Sequence, residues 1–234
     1  MGIFSRHRPA TGSSDEPAPP PDPELVAHAR TLIRPGFVGR ADAVAEVRDH
    51  FEIDDDDRRP EAAVDVAWRE REAEQQTWRE VGDYDRMAAA FARIQQQGLL
   101  ARMNFTCCQT CGTEEIDDQR TPRKGAAAGE YPWKEWAYTF FHQQDAARLA
   151  DDRAVLSLSY SAFRPAPHLD PALVQAARDG DAGAREQVRI ETDRAVGTIV
   201  ATALREHGLT VDWDGDPDER ITVSITDWRK YLPV

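Results

Sequence analysis

The sequence predicts an α+β fold, a mixed four- to five-stranded sheet packed against several helices. Three observations point there. Apolar residues recur at helical spacing through the first hundred positions. Short strand-like runs follow at 99–105, 136–141 and 155–160, with a closing pair at 210–213 and 221–225. Between the first two runs lie about 30 residues that include a helical stretch, a length that suits a crossover between parallel strands. The expected organisation is a disordered tail over 1–22 and one domain over 23–234, helical in 23–97 and sheet-containing in 98–234.

Residues 1–22 are rich in Pro, Ser, Gly and charge and carry few large apolar side chains, a composition that cannot bury enough surface to fold. Order is expected to begin at Pro23-Glu24, with Leu25, Val26, Ala29 and Leu32 on one helix face and a stop at Pro35-Gly36. A second helix follows Arg40, carrying Val44, Val47 and Phe51 and ending in the acidic run Asp54–Asp57, which reads as a charged connector. Val64, Ala67 and Trp68 mark a third helix over 61–78, where Trp68 and Trp78 read as packing anchors. Asp83 is placed as the N-cap of a fourth helix bearing Tyr84, Met87, Ala88, Phe91 and Ile94, closed by Gly98. Its apolar stripe needs a partner, and the strand that follows is the nearest candidate.

That strand leads to Thr106, read as the cap of a short helix that reaches about Asp118. A Gly- and Ala-rich stretch, 120–129, then reads as a solvated insertion whose Arg120, Arg123 and Lys124 could attract an anion. An aromatic strand runs into His142-Gln143-Gln144-Asp145, and the third strand alternates Val155, Ser157 and Ser159 against Leu156, Leu158 and Tyr160. Helices are expected over 171–178 and 184–207, the second closed by Gly208, before a hairpin around Asp214-Gly215-Asp216-Pro217. Asp212, Asp214, Asp216 and Asp218 resemble a calcium loop in spacing, but the glycine is misplaced and Val223 stands where the closing Glu belongs.

The net charge is −13, with 42 Asp and Glu against 29 Lys and Arg. Such a chain repels phosphate backbones, which argues against DNA or RNA binding. No run of about 18 apolar residues is present, so no membrane span is expected, and the start lacks the apolar segment of a signal peptide. A cytoplasmic location follows as the expectation, with thiols kept reduced.

All three cysteines, Cys107, Cys108 and Cys111, fall within five positions. If the first two strands are parallel, their carboxyl ends open on one edge and bring His142 near the thiols. A metal site is then one reading, with Cys107, Cys108, Cys111 and His142 as ligands and zinc as the ion that thiolate and imidazole suit. A thiol redox protein using Cys108 and Cys111 is another, because the Cys-x-x-Cys spacing sets two sulfurs one turn apart. A third pairs a cysteine nucleophile with His142 as base and Asp145 as its orienter. Against these stand simple packing of small apolar thiols and a protein-interaction module that works through its acidic helices without chemistry.

Several motifs also carry a family likeness. Asp85-Arg86-Met87, the run Ala101-Arg102-Met103-Asn104-Phe105-Thr106-Cys107-Cys108-Gln109-Thr110-Cys111-Gly112 with Glu115-Ile116, and Phe140-Phe141-His142-Gln143-Gln144-Asp145 resemble an uncharacterised bacterial family described only as a domain of unknown function. Trp213-Asp214-Gly215-Asp216 and Asp227-Trp228 are similar too, so the likeness covers most of the chain from Trp78 onward. This chain departs from the pattern in its longer 120–133 connection, in Ala146 after the acidic residue, and in Ser161 where glycine is usual. The resemblance implies no activity, since none is established for the family.

Overall fold

The computed structural model describes residues 21–233; residues 1–20 of the expected tail lie outside that range. Asp22 caps the first helix, its carboxylate accepting the N–H of Glu24 at 2.9 Å. Helices α1 (Pro23–Ile33), α2 (Arg40–His50) and α3 (Arg59–Gln75) share a core of Leu25, Val26, Ile33, Val47, Val64 and smaller residues between them. Their apolar positions fall at the expected spacings.

The fourth helix, α4 (Asp83–Gln96), does not join that group. Met87, Phe91 and Ile94 pack with Leu99 and Ala101 of β1 (Leu99–Arg102), as the stripe on this helix predicts. Gly98, at φ 81°, makes the left-handed turn between them. After β1 come α5 (Gln109–Glu115), β2 (Ala137–Phe140), α6 (Gln143–Ala147) and β3 (Ala154–Ala162). Then follow α7 (Pro171–Arg178), α8 (Ala182–Glu206), β4 (Thr210–Asp212) and β5 (Ile221–Ile225).

The sheet is mixed and five-stranded, in the order β1-β2-β3-β5-β4. β1 and β2 are parallel, with Leu99 opposite Ala137, and the remaining pairs are antiparallel. Alternation on β3 places Leu156 and Leu158 with Ile221 and Val223 in the main core, which α4 and α8 cover. Leu100 and Phe140 lie on the opposite face, where they meet Ile116 just after α5.

The acidic hairpin turn is exposed and held by local hydrogen bonds. The N–H groups of Asp216 and Asp218 donate to the carboxylates of Asp214 and Asp216, each at 2.9 Å. Trp213 Nε1 donates to Tyr160 Oη at 3.1 Å and to the Asp216 carbonyl at 3.0 Å. Residues 121–130 are almost all exposed, as the solvated insertion predicts, but its base is paired. Arg123 and Lys134 donate backbone N–H groups to Pro132 and Thr121, at 2.7 and 2.9 Å. Arg120 is not a free cation for an anion: its guanidinium stacks on Trp133 and Phe163, 4.6 and 4.8 Å from the ring centres.

The last residues tie the two cores together. Arg71, 5% exposed, donates to the carbonyls of Arg34, Trp228 and Lys230 at 3.0, 3.5 and 3.4 Å and lies 4.7 Å over Trp78. Asp83 was expected to cap α4, but Gly82 holds that position. Asp83 is instead buried, and its carboxylate accepts the N–H groups of Thr226 and Asp227, both at 2.9 Å.

A pH dependence follows from α1 and α2. His28 stacks on His50 with ring centres 4.0 Å apart. Burial chiefly, with the nearby His50, holds the His28 imidazole below its ordinary 6.5, against a smaller opposing pull from Glu46. The unfolded chain therefore takes up this proton first as pH falls, so the stabilisation is complete above about 6.5 and shrinks below it. Thermal unfolding between pH 7 and 5 should show a steeper loss for the native chain than for His28→Phe, which keeps a ring in the stack. Equal slopes would contradict this assignment.

Candidate metal centre

The parallel pairing of β1 and β2 sets both carboxyl ends on one sheet edge, and the chain beyond each is stitched to the other. Phe105 N–H donates to the Phe141 carbonyl at 2.9 Å, Gln143 N–H to Thr106 at 3.0 Å, and Gln144 N–H to Cys107 at 3.4 Å. Two residues other than glycine adopt left-handed backbone here, Asn104 and Thr106, at φ 51° and 54°. The conformation is uncommon for such residues and costs on the order of 1 kcal/mol or more at each. It turns the chain back before the helix starts.

Thr106 is therefore not the helix cap. The Thr106 hydroxyl donates to the carbonyls of Phe105 and Cys108, and Cys108, in extended backbone, holds the N-cap position of α5. The helix sits close on the sheet because position 112 has no side chain. A Cβ on Gly112 would lie 2.5 and 2.6 Å from Cε2 and Cζ of Phe140, which is fully buried and has nowhere to move. Gly112→Ala should cost about 1–3 kcal/mol by overpacking. Urea unfolding measures the cost, and a midpoint equal to that of the native chain would contradict this close approach.

The turn gathers all three sulfurs. Among the described residues, Cys107, Cys108 and Cys111 place their Sγ atoms within 4.8 Å of one another, with Cys107 and Cys111 at 3.3 Å. Cys107 is exposed and the other two are half-buried. Hydrogen bonding, first from the backbone N–H of Cys111 and then from the neighbouring thiols, holds the Cys108 thiol below its ordinary range. Cys111 is pushed up to about 12, first by Cys107 and then by Cys108. Ionisation is thus favoured at Cys108 and opposed at Cys111 by the neighbouring sulfurs. A cation at their centre removes that opposition, because a coordinating thiol is deprotonated outright. Three converging soft donors could hold a metal ion.

His142 reaches the same edge but does not join the sulfur group. It caps α6, Nδ1 accepting the Asp145 N–H at 3.2 Å, while Nε2 lies 3.0 Å from Asp145 Oδ2. Burial chiefly holds its pKa below the ordinary 6.5, Arg220 and Arg148 adding to the effect and Asp145 opposing it. With Nδ1 accepting, the ring proton sits on Nε2 and points at the carboxylate. Both ring nitrogens thus face Asp145. Arg220 completes the network, donating to Asp145 Oδ2 at 2.7 Å and to the Ser157 carbonyl. No local pattern pairs Arg220 with Asp145; burial of Asp145 is what demands a cation there.

A cleft of about 370 Å³ runs between Phe37, Val38 and Asp42 on one side and Asn104, Gln143 and Ala147 on the other, and none of the three cysteines lines it. Among the described residues, no helix is long and apolar enough to cross a membrane.

A mixed sheet with helices on it and three cysteines at one strand edge defines an α+β domain with a candidate thiolate metal centre. The chain belongs to the family described as Domain of unknown function (DUF6891), which matches residues 20–232. Comparison with curated proteins and with solved structures gives no match.

Proposed function

We propose that this protein binds one zinc ion through the thiolates of Cys107, Cys108 and Cys111, in a cytoplasmic setting that keeps them reduced. The observation that carries this reading is the convergence of three sulfurs within 4.8 Å. Zinc–sulfur bonds of about 2.3 Å in a tetrahedron set sulfurs about 3.8 Å apart, a spacing that small side-chain rotations reach from here. His142 supports the site as a positioning residue: it caps α6, whose first N–H groups bind the carbonyls of Thr106 and Cys107. The fourth coordination position falls to water or to an added ligand, because Cys107 faces solvent.

Zinc analysis of protein purified under reducing conditions tests the reading. The expected result is about one zinc per chain, lost on chelation, with a lowered melting temperature that returns when zinc is added back. Cys108→Ser should weaken retention at least tenfold while circular dichroism stays native. Metal-free protein whose melting temperature ignores added zinc would overturn the proposal.

A further inference from the structure

The sulfurs that converge on an ion also lie close enough to bond to one another. Cys107 and Cys111 approach to 3.3 Å, within reach of the S–S bond of about 2.05 Å after small rotations. The left-handed Thr106 makes this approach: it folds Cys107 back over the first turn of α5, where Cys111 stands. Cys108 holds the N-cap position of α5, and among the described residues the sulfur-to-sulfur hydrogen bond of the trio is the one between Cys107 and Cys111. The chain contains no further cysteine, so the choice of disulfide partner lies within this trio.

We infer that Cys107 and Cys111 are an oxidative modification site, and that a two-electron oxidant of the peroxide class joins them and expels the ion. The inference rests on the zinc reading and adds the regulation of that site. Two coordinated thiolates give up one electron each and form the S–S bond. The peroxide O–O bond breaks, takes those two electrons and two protons from solvent, and leaves as two waters. The ion is left with Cys108 alone, a single protein ligand that does not retain zinc, and departs. A dithiol reductant reverses the change by thiol–disulfide exchange and restores three ligands. Exposure of Cys107 gives the oxidant its entry.

The test starts from the full reduced chain loaded with zinc and titrated with hydrogen peroxide. Zinc release is followed with a coloured chelator, and free thiols are alkylated and located by mass spectrometry. The expected result is loss of zinc in step with loss of two of the three thiols, alkylation confined to Cys108, and recovery of both after dithiol treatment. Zinc retained with all three thiols still alkylated would overturn the inference and leave the zinc reading standing. A disulfide that includes Cys108, with Cys107 or Cys111 alkylated, would overturn the choice of pair. Reduced protein that takes up no zinc before any peroxide is added would sink the zinc reading, and the coupling with it.

Discussion

Asp145→Ala is expected to lower stability by about 3 kcal/mol, the low end for breaking a buried ion pair because Arg220 is partly exposed. The Asp145 side chain is 4% exposed and the His142 ring 7%, while Arg220 keeps 30%. Removing the carboxylate leaves the guanidinium of Arg220 and the Nε2–H of His142 facing a gap, and the α6 cap loses the group that orients its ring. For a chain of this length the loss corresponds to a fall in melting temperature on the order of 10 °C. Asp145→Asn keeps the shape and one acceptor and should cost clearly less. Because α6 is stitched to Thr106 and Cys107, Asp145→Ala should also loosen zinc. Urea unfolding with an unchanged slope measures the stability term, and a loss below 1 kcal/mol would show that the network contributes little.

Asp83→Ala should be comparably costly, about 3 kcal/mol, since it strands the N–H groups of Thr226 and Asp227 and removes the partner of Arg86. The effect has a location that a general packing loss would lack. Asp83 also donates its own N–H to the Asp227 carbonyl at 2.8 Å, so this residue fastens the start of the C-terminal return to the head of α4. Hydrogen exchange should accelerate first over 226–232, where Trp228 donates Nε1 to Pro35 at 3.0 Å. Uniform acceleration across the sheet would contradict that role.

Periodic and local features of this molecule were legible in its sequence. The stripe on α4 and the apolar run after Gly98 announced each other as partners, the alternation on β3 told its faces apart, and the 171–178 helix starts at its proline. A connection of about 30 residues with a helix in it indicated that β1 and β2 run parallel, which is what gathers the cluster and His142 at one edge. What escaped depends on distant or unusual geometry. Arg220 and Asp145 are 75 positions apart, and nothing in either neighbourhood names the other. Arg120 read as a surface cation because charge suggests solvent, whereas its flat guanidinium suits the space between two rings.

The site itself was half visible. Clustered thiols announce themselves by spacing, but the left-handed turn at Thr106 does not, because threonine is among the residues least expected there. That turn moved the start of the helix from Thr106 to Cys108 and set Cys107 over Cys111. His142 was expected at this edge, and there its Nδ1 serves the Asp145 N–H three residues on, as an N-cap does.

Zinc K-edge absorption on the reduced, zinc-loaded chain looks directly at the centre on which this reading of the protein depends. Three sulfur neighbours at about 2.3 Å, with one lighter atom completing the shell, are expected. A shell of nitrogen and oxygen alone would mean that the thiols of Cys107, Cys108 and Cys111 do not hold the ion.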